Sequence, residues 1–184
     1  YYPAGISDED KLPAVIVVHG GGVNKGNYKG IADDAEIDQT TAKNWLHVLE
    51  ALGIIFLLEP YSNNVLKRTV STPKLYFYDS GIVCYLTRWS SPETAMEGAM
   101  SGALLENYTV AEIIKTYQNA GQEPFLYYYR DKDAREIDLI LERDGKLFPI
   151  EIKKMAPPKK LTKVFDLIDK SPLQRGTGAI LCMA

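Results

Sequence analysis

Among its 184 residues the chain has only two cysteines and two histidines. Cys84 and Cys182 lie far apart, each in an apolar run, which excludes a disulfide framework. They are expected to be buried thiols in a reducing cytoplasm. No apolar stretch approaches the roughly 20 residues that span a bilayer, so no membrane partner is expected. There is no initiating methionine and no basic, apolar leader. The expectation is therefore a fragment of a longer protein, without a signal peptide. Charge of one sign is scarce too: the formal net charge is −3, which does not by itself advertise nucleic-acid binding. What remains, 46% hydrophobic and 24% charged residues, is a soluble globular composition long enough for one or two small cores.

Two tempting motifs are incomplete. The run Pro13-Ala14-Val15-Ile16-Val17-Val18, followed by His19-Gly20-Gly21-Gly22, resembles the oxyanion-hole strand and loop of α/β-hydrolase esterases. That chemistry needs a nucleophile elbow, G-x-S-x-G. Ser80 sits in Asp79-Ser80-Gly81 and Ser101 in Met100-Ser101-Gly102, and neither has the leading glycine. His47 is the only other histidine, so a base is scarce as well. Gly20–Gly26 also lacks the Gly-Lys-Ser/Thr ending of a phosphate-binding loop, so no ATP site is expected.

The chemistry-bearing pattern lies further on. Asp138 is followed, twelve residues later, by Glu151-Ile152-Lys153. Two apolar runs flank the turn Arg143-Asp144-Gly145-Lys146, and Asp-Gly in that setting predicts a hairpin. Glu151 and Lys153, two apart, share a strand face, while Ile150 and Ile152 face the other way. On the first strand, alternation places Asp138 on the face of Glu136 and Ile140. A carboxylate pair and an ammonium converging at a sheet edge can hold a divalent ion and activate water for phosphodiester hydrolysis. The same residues could equally be exposed strand positions forming surface ion pairs of little energetic weight.

The D-x12-E-x-K spacing resembles that of the PD-(D/E)xK nuclease superfamily, and the element order agrees with it. A helix is predicted over 101–118, with Leu104, Leu105, Tyr108, Val110, Ile113 and Ile114 as its apolar positions. A strand over 125–130 and the two motif strands follow. After Ala156-Pro157-Pro158 come a helix over 161–169 and a strand over 178–183. The order αβββαβ covers roughly residues 101–184. The resemblance implies Asp138, Glu151 and Lys153 as catalytic residues. It implies Glu106, Asp138 and Glu151 as ligands of Mg²⁺ or Mn²⁺, with the Ile152 carbonyl completing the shell.

Residues 24–90 read as another module. A short helix over 27–36 turns Ile31 and Ala35 inward, and Ile37-Asp38-Gln39 is a turn. A strong helix over 40–52 carries Ala42, Trp45, Leu46, Leu49 and Leu52 at helical spacing, and Gly53 ends it. Strands over 54–58 and 75–78 follow. Helix, turn, helix and hairpin is the winged helix-turn-helix arrangement. Its second helix offers only Thr40, Thr41, Lys43, Asn44 and His47 as polar contacts, and Asp33, Asp34 and Glu36 precede it. A packing or dimerisation role is the alternative. In the wing, Lys67, Arg68 and Lys74 could touch a phosphate backbone. The aromatic stretch Tyr76–Trp89 reads as a core seam between the modules, and Arg88–Pro92 as a linker.

Several strings narrow the resemblance. They are Thr41-Ala42-Lys43-Asn44-Trp45-Leu46, Leu49–Ile55, Pro60-Tyr61-Ser62-Asn63-Asn64 and Thr72-Pro73-Lys74-Leu75-Tyr76-Phe77-Tyr78-Asp79-Ser80-Gly81. Together they resemble the C-terminal half of a family of prokaryotic AAA-type ATPases that ends in the domain DUF4143. The resemblance implies an ATPase domain in the full-length parent, then a winged helix and a nuclease-like domain.

The expected fold is therefore α/β (α+β), a winged helix-turn-helix followed by a restriction-endonuclease-like domain with a mixed sheet. The expected boundaries are 1–23 for an extension, 24–90 for the winged helix and 91–184 for the nuclease-like domain. Residues 101–184 hold thirteen lysines and arginines against twelve acids. Lys153, Lys154, Lys159, Lys160 and Lys163 form a basic stretch that a phosphate backbone would favour. The first functional expectation is a metal-dependent nuclease, with Lys154, Lys159, Lys160, Lys163, Lys67 and Arg68 binding nucleic acid. The second is a non-catalytic module of an ATPase that binds nucleic acid or a partner.

Overall fold

Asp38 starts the first long helix. Its Oδ1 accepts hydrogen bonds from the amides of Thr40 (2.9 Å) and Thr41 (3.0 Å), satisfying two donors that the helix leaves unpaired. The computed structural model describes residues 28–62, 72–155 and 161–183. The His-Gly-Gly-Gly segment, Lys67, Arg68, Lys159 and Lys160 lie outside the described residues.

Helix α1 (Tyr28–Asp34) packs on α2 (Gln39–Ala51) through Ile31, Ala32, Ala42 and Leu46. Ile31 points inward as predicted, but Ala32 takes the buried place expected of Ala35. Gly53, with φ of 67°, turns the chain out of α2. Strands β1 (Ile55–Leu58) and β2 (Lys74–Phe77) then pair antiparallel, with Ile55 opposite Phe77. Helix α3 (Ser80–Leu86) lies within the predicted seam, and α4 (Pro92–Glu97) begins where the predicted linker ends. Val83, Ala95 and Leu104 bury a small cluster there, with Phe77 and Trp89 packed against it. Tyr85 is no part of that seam, being 79% exposed.

Helix α5 (Ser101–Asn119) leads into β3 (Phe125–Arg130), β4 (Glu136–Arg143) and β5 (Lys146–Lys153). Leu104, Asn107, Val110, Ala111 and Ile114 form the buried stripe of α5, whereas Tyr108 faces outward. The β4–β5 turn is the predicted one, with positive φ at Asp144 (51°) and Gly145 (68°), the demand of a two-residue type I′ loop. A 3-10 helix, Leu161–Ile168, replaces the expected α-helix. Residues three apart eclipse on a 3-10 helix, and this brings Phe165 and Ile168 together into the core. Strands β6 (Gln174–Arg175) and β7 (Ala179–Cys182) both run parallel to β5, while β4 runs antiparallel to its neighbours β3 and β5, so the sheet is mixed. Cys182 is exposed, contrary to the expectation of a buried thiol, and lies on β7, an edge strand among the described residues; Cys84 on α3 is half-buried against the cluster of Val83, Ala95 and Leu104.

Apolar side chains cover both faces of this sheet. One face carries Leu126, Tyr128, Leu139 and Ile152 against Val110, Ala111 and Ile114 of α5 and Phe56, Leu58 and Tyr76 of the β1–β2 hairpin. The other carries Tyr129, Ile137, Ile140 and Leu147 against Phe165 and Ile168. Past β1 the chain runs beside β3: the Tyr61 amide donates to the Tyr128 carbonyl (2.6 Å) and the Tyr128 amide to that of Glu59 (3.1 Å). The helix–hairpin module and the five-stranded sheet thus share backbone hydrogen bonds as well as a core. No helix among the described residues is long and apolar enough to cross a membrane.

Candidate functional site

A one-residue register shift aims the first acid. Tyr127 pairs with Ile140 and Tyr129 with Ile137, so Asp138 and Leu139 together lie across from Tyr128. Two residues opposite one is the count of a β-bulge, which bends a strand and redirects side chains. Ile137 and Ile140, three apart, consequently enter the same core. Strict alternation had put Asp138 on the face of Glu136 and Ile140. The bulge turns Ile140 away into the other core, while the Asp138 carboxylate stays with Glu136 of β4 and meets Glu106 of α5, the three offering oxygens within 4.8 Å of one another.

Asp138 is 9% exposed and well bonded. Its Oδ2 accepts from the Ile152 amide (2.8 Å) and from Lys153 Nζ (3.3 Å). Lys153 Nζ also lies 2.7 Å from Glu151 Oε2. The three residues singled out by spacing therefore meet around one ammonium. Glu151 is 2% exposed, and its second oxygen, Oε1, is buried without a hydrogen-bond partner. Burial pushes the Glu151 carboxyl up to about 7, the charge of Asp138 adds to the shift, and Lys153 opposes it.

The expected metal trio was Glu106, Asp138 and Glu151. Among the described residues the tight three-acid group is Glu106, Glu136 and Asp138, and Glu151 joins it through Lys153. Glu106 and Glu136 are bridged by a residue the sequence reading had placed on the wing. Lys74, at the start of β2, is 3% exposed, so it is no free phosphate contact. Its Nζ pairs with Glu106 Oε1 (2.9 Å) and with Glu136 Oε1, and sits 5.2 Å from the centre of the Tyr128 ring. The Tyr76 hydroxyl donates to the same Glu106 oxygen at 2.6 Å. Arg130 Nη1 approaches Glu136 Oε2 at 3.5 Å. Next to Glu106, Asn107 ties α5 to the hairpin: it accepts from the Phe77 amide (2.8 Å) and donates to the Phe77 carbonyl and Ser80 Oγ (3.0 Å each).

Tyr76, Asn107 and Arg130 carry no signal as site residues in the sequence, and the pairing of Lys74 with Glu106 and Glu136 is not visible there, because their meeting is non-local. One local signal existed. In Lys74-Leu75-Tyr76-Phe77, Lys74 and Tyr76 are two apart and share a strand face, so an inward Tyr76 turns Lys74 to the same side. Of the predicted nucleic-acid contacts within the described residues, Lys163 is exposed. Lys154 is exposed as well, and its Nζ donates to Ser101 Oγ (2.9 Å) at the start of α5.

The donor set is oxygen only, which suits Mg²⁺ or Mn²⁺ over softer metals. Glu151 Oε1, buried and unpaired, is the kind of acceptor that an ion would satisfy. The residues therefore fit such an ion.

Residues 101–184 match the family model described as "Domain of unknown function (DUF4143)", the domain to which the sequence strings point. Residues 5–93 match a second, "Domain of unknown function (DUF8612)". Among curated proteins the chain is similar to an uncharacterized protein of Mycobacterium bovis and another of Mycobacterium tuberculosis. Each is 27% identical over 128 residues, covering 70% of this chain. The matched part is 28% of the length of each relative. No solved structure matches the chain.

Proposed function

We propose that the cluster at the end of the β4–β5 hairpin is a divalent-metal-dependent phosphodiesterase centre of the PD-(D/E)xK type, acting on nucleic acid. The observation that carries this reading is the meeting of Asp138, Glu151 and Lys153: one ammonium lies 3.3 Å from Asp138 Oδ2 and 2.7 Å from Glu151 Oε2. Asp138 and Glu151 would hold the ion. Bound there, it would supply Lewis-acid polarisation of the phosphate and a water of lowered pKa. The chain's own part is to preorganise. The Ile152 amide fixes Asp138, and the bulge aims it. Lys153 holds the two carboxylates together and offers its ammonium to the charge that develops on the phosphate oxygens. Lys154 and Lys163, with Lys67, Arg68, Lys159 and Lys160, would draw in the phosphate backbone. An AAA-type ATPase domain in the full-length parent belongs to the same proposal.

Cleavage of single- and double-stranded DNA and of RNA, with Mn²⁺ or Mg²⁺, tests it. Activity in the wild type that is lost in Asp138→Ala and Glu151→Ala supports the reading. Equal rates in all three proteins sink it.

A second reading, a nucleic-acid- or partner-binding module that cuts nothing, draws on one observation. Lys153 and Lys74 already neutralise much of the acidic cluster without any ion. Salt-dependent DNA binding with no product in either metal would favour it.

A further inference from the structure

Lys74 is the unusual group in this site. A lysine that is 3% exposed has given up nearly all its hydration. A single ion pair rarely offsets that cost in a protein interior. Lys74 has more than one partner: Glu106 Oε1 at 2.9 Å, Glu136 Oε1 and the face of Tyr128. Despite burial, its two carboxylates hold its pKa above the usual lysine range, so it remains charged. The ammonium thus does for Glu106 and Glu136 what a bound cation would do. It also reaches the site from the β1–β2 hairpin, whereas Glu106, Glu136, Asp138 and Glu151 all come from α5, β4 and β5.

We propose that Lys74 is a positioning residue acting as a tethered cation. Its ammonium fills the cation position bounded by Glu106 and Glu136 and leaves one exchangeable ion to Asp138 and Glu151. The inference rests on reading the cluster as a cation site. Glu106 is then not an additional metal ligand but the anchor of Lys74, with the Tyr76 hydroxyl on the same oxygen. The β1–β2 hairpin becomes part of the site, because it supplies the charge that holds two of its acids in place.

The test is a Mn²⁺ titration of the whole chain, following the loss of the free-ion electron paramagnetic resonance signal. It compares wild type, Lys74→Arg, Lys74→Met and Lys74→Met/Glu106→Gln. Lys74→Met should bind one more ion per chain than wild type, or bind at least tenfold tighter. Glu106→Gln should cancel that gain, and Lys74→Arg should behave as wild type. A folded Lys74→Met with the wild-type isotherm overturns the proposal. The metal reading itself stands or falls separately, on whether wild type binds an ion that Asp138→Ala/Glu151→Ala loses. If Lys74→Met does not fold, Lys74→Met/Glu106→Gln/Glu136→Gln decides. Recovery of folding supports charge compensation by Lys74, and continued failure to fold overturns it.

Discussion

The backbone amide of Ile152 donates a 2.8 Å hydrogen bond to Asp138 Oδ2, just beyond the Leu139–Ile150 strand pair. One carboxylate oxygen therefore has a structural duty as well as a chemical one. The two separate on substitution. Asp138→Asn keeps an oxygen that can accept from Ile152, so its melting temperature should stay close to wild type. Asp138→Ala strands a buried N–H, at a cost of about 1–3 kcal/mol. Both should lose Mn²⁺ affinity, by about 100-fold or more, beyond the upper end of what supporting residues contribute at metal sites. Thermal melts beside calorimetric titrations check this. Wild-type metal affinity in Asp138→Asn would count against Asp138 as a ligand.

Glu151 makes stability depend on pH. Its folded-state value of about 7 lies above the ordinary carboxyl value of 4.5, so the folded chain holds that proton more tightly than the unfolded chain does. The stabilisation is complete below the lower value and is lost as pH rises through the upper one. Urea midpoints should therefore fall between about pH 5 and pH 8, and Glu151→Gln should flatten that segment of the profile. A metal ion acts with the opposite sign, since it binds the charged form. Mn²⁺ affinity should rise up to neutral pH, and binding at pH 6 should release a proton. Calorimetry in two buffers of different ionisation enthalpy measures that proton directly.

Asn107 predicts a coupling cost. It makes three hydrogen bonds to the hairpin and Ser80 from the buried stripe of α5. Asn107→Leu keeps the size but leaves the Phe77 amide and carbonyl without these partners. A loss of about 2–6 kcal/mol is expected, from two stranded backbone groups at the usual cost of each. Chemical denaturation gives the number, and a loss under about 1 kcal/mol would mean that water satisfies Phe77.

Lys163 tests the nucleic-acid proposal from the solvent side. It is exposed, and Lys163→Ala should weaken DNA binding about equally across sequences. It should also lower the slope of log K against log salt by about one. An unchanged slope would place the backbone elsewhere on the surface.

Most of this architecture was legible from local patterns. The stripe Leu104, Val110 and Ile114 marks α5, Asp144-Gly145 marks the hairpin, and Gly53 marks the end of α2, because each obeys a rule operating within a few residues. The meeting of Asp138, Glu151 and Lys153 was legible from the hairpin that joins their strands. The turning of Ile140 away from Asp138 was not, since the bulge arises from how β4 fits against Tyr128. Lys74 was misplaced because its partners Glu106 and Glu136 lie 32 and 62 positions away. A rule reading neighbours along the chain sees an exposed wing lysine there, and only folding makes it a buried counter-ion. The 3-10 helix was read as an α-helix because its apolar residues fit both periods.

The core shared by Phe56, Leu58 and Tyr76 with Val110, Ile114 and Leu139 has a consequence for heredity. Sequence families part company between residues 93 and 101. The apolar interior observes no such frontier. A recombination event at that seam would hand each offspring an open hydrophobic face and half a set of charges. A substitution at Phe56, Leu58 or Tyr76 therefore alters the surface against which Val110, Ile114 and Leu139 pack, across the boundary between the two matches.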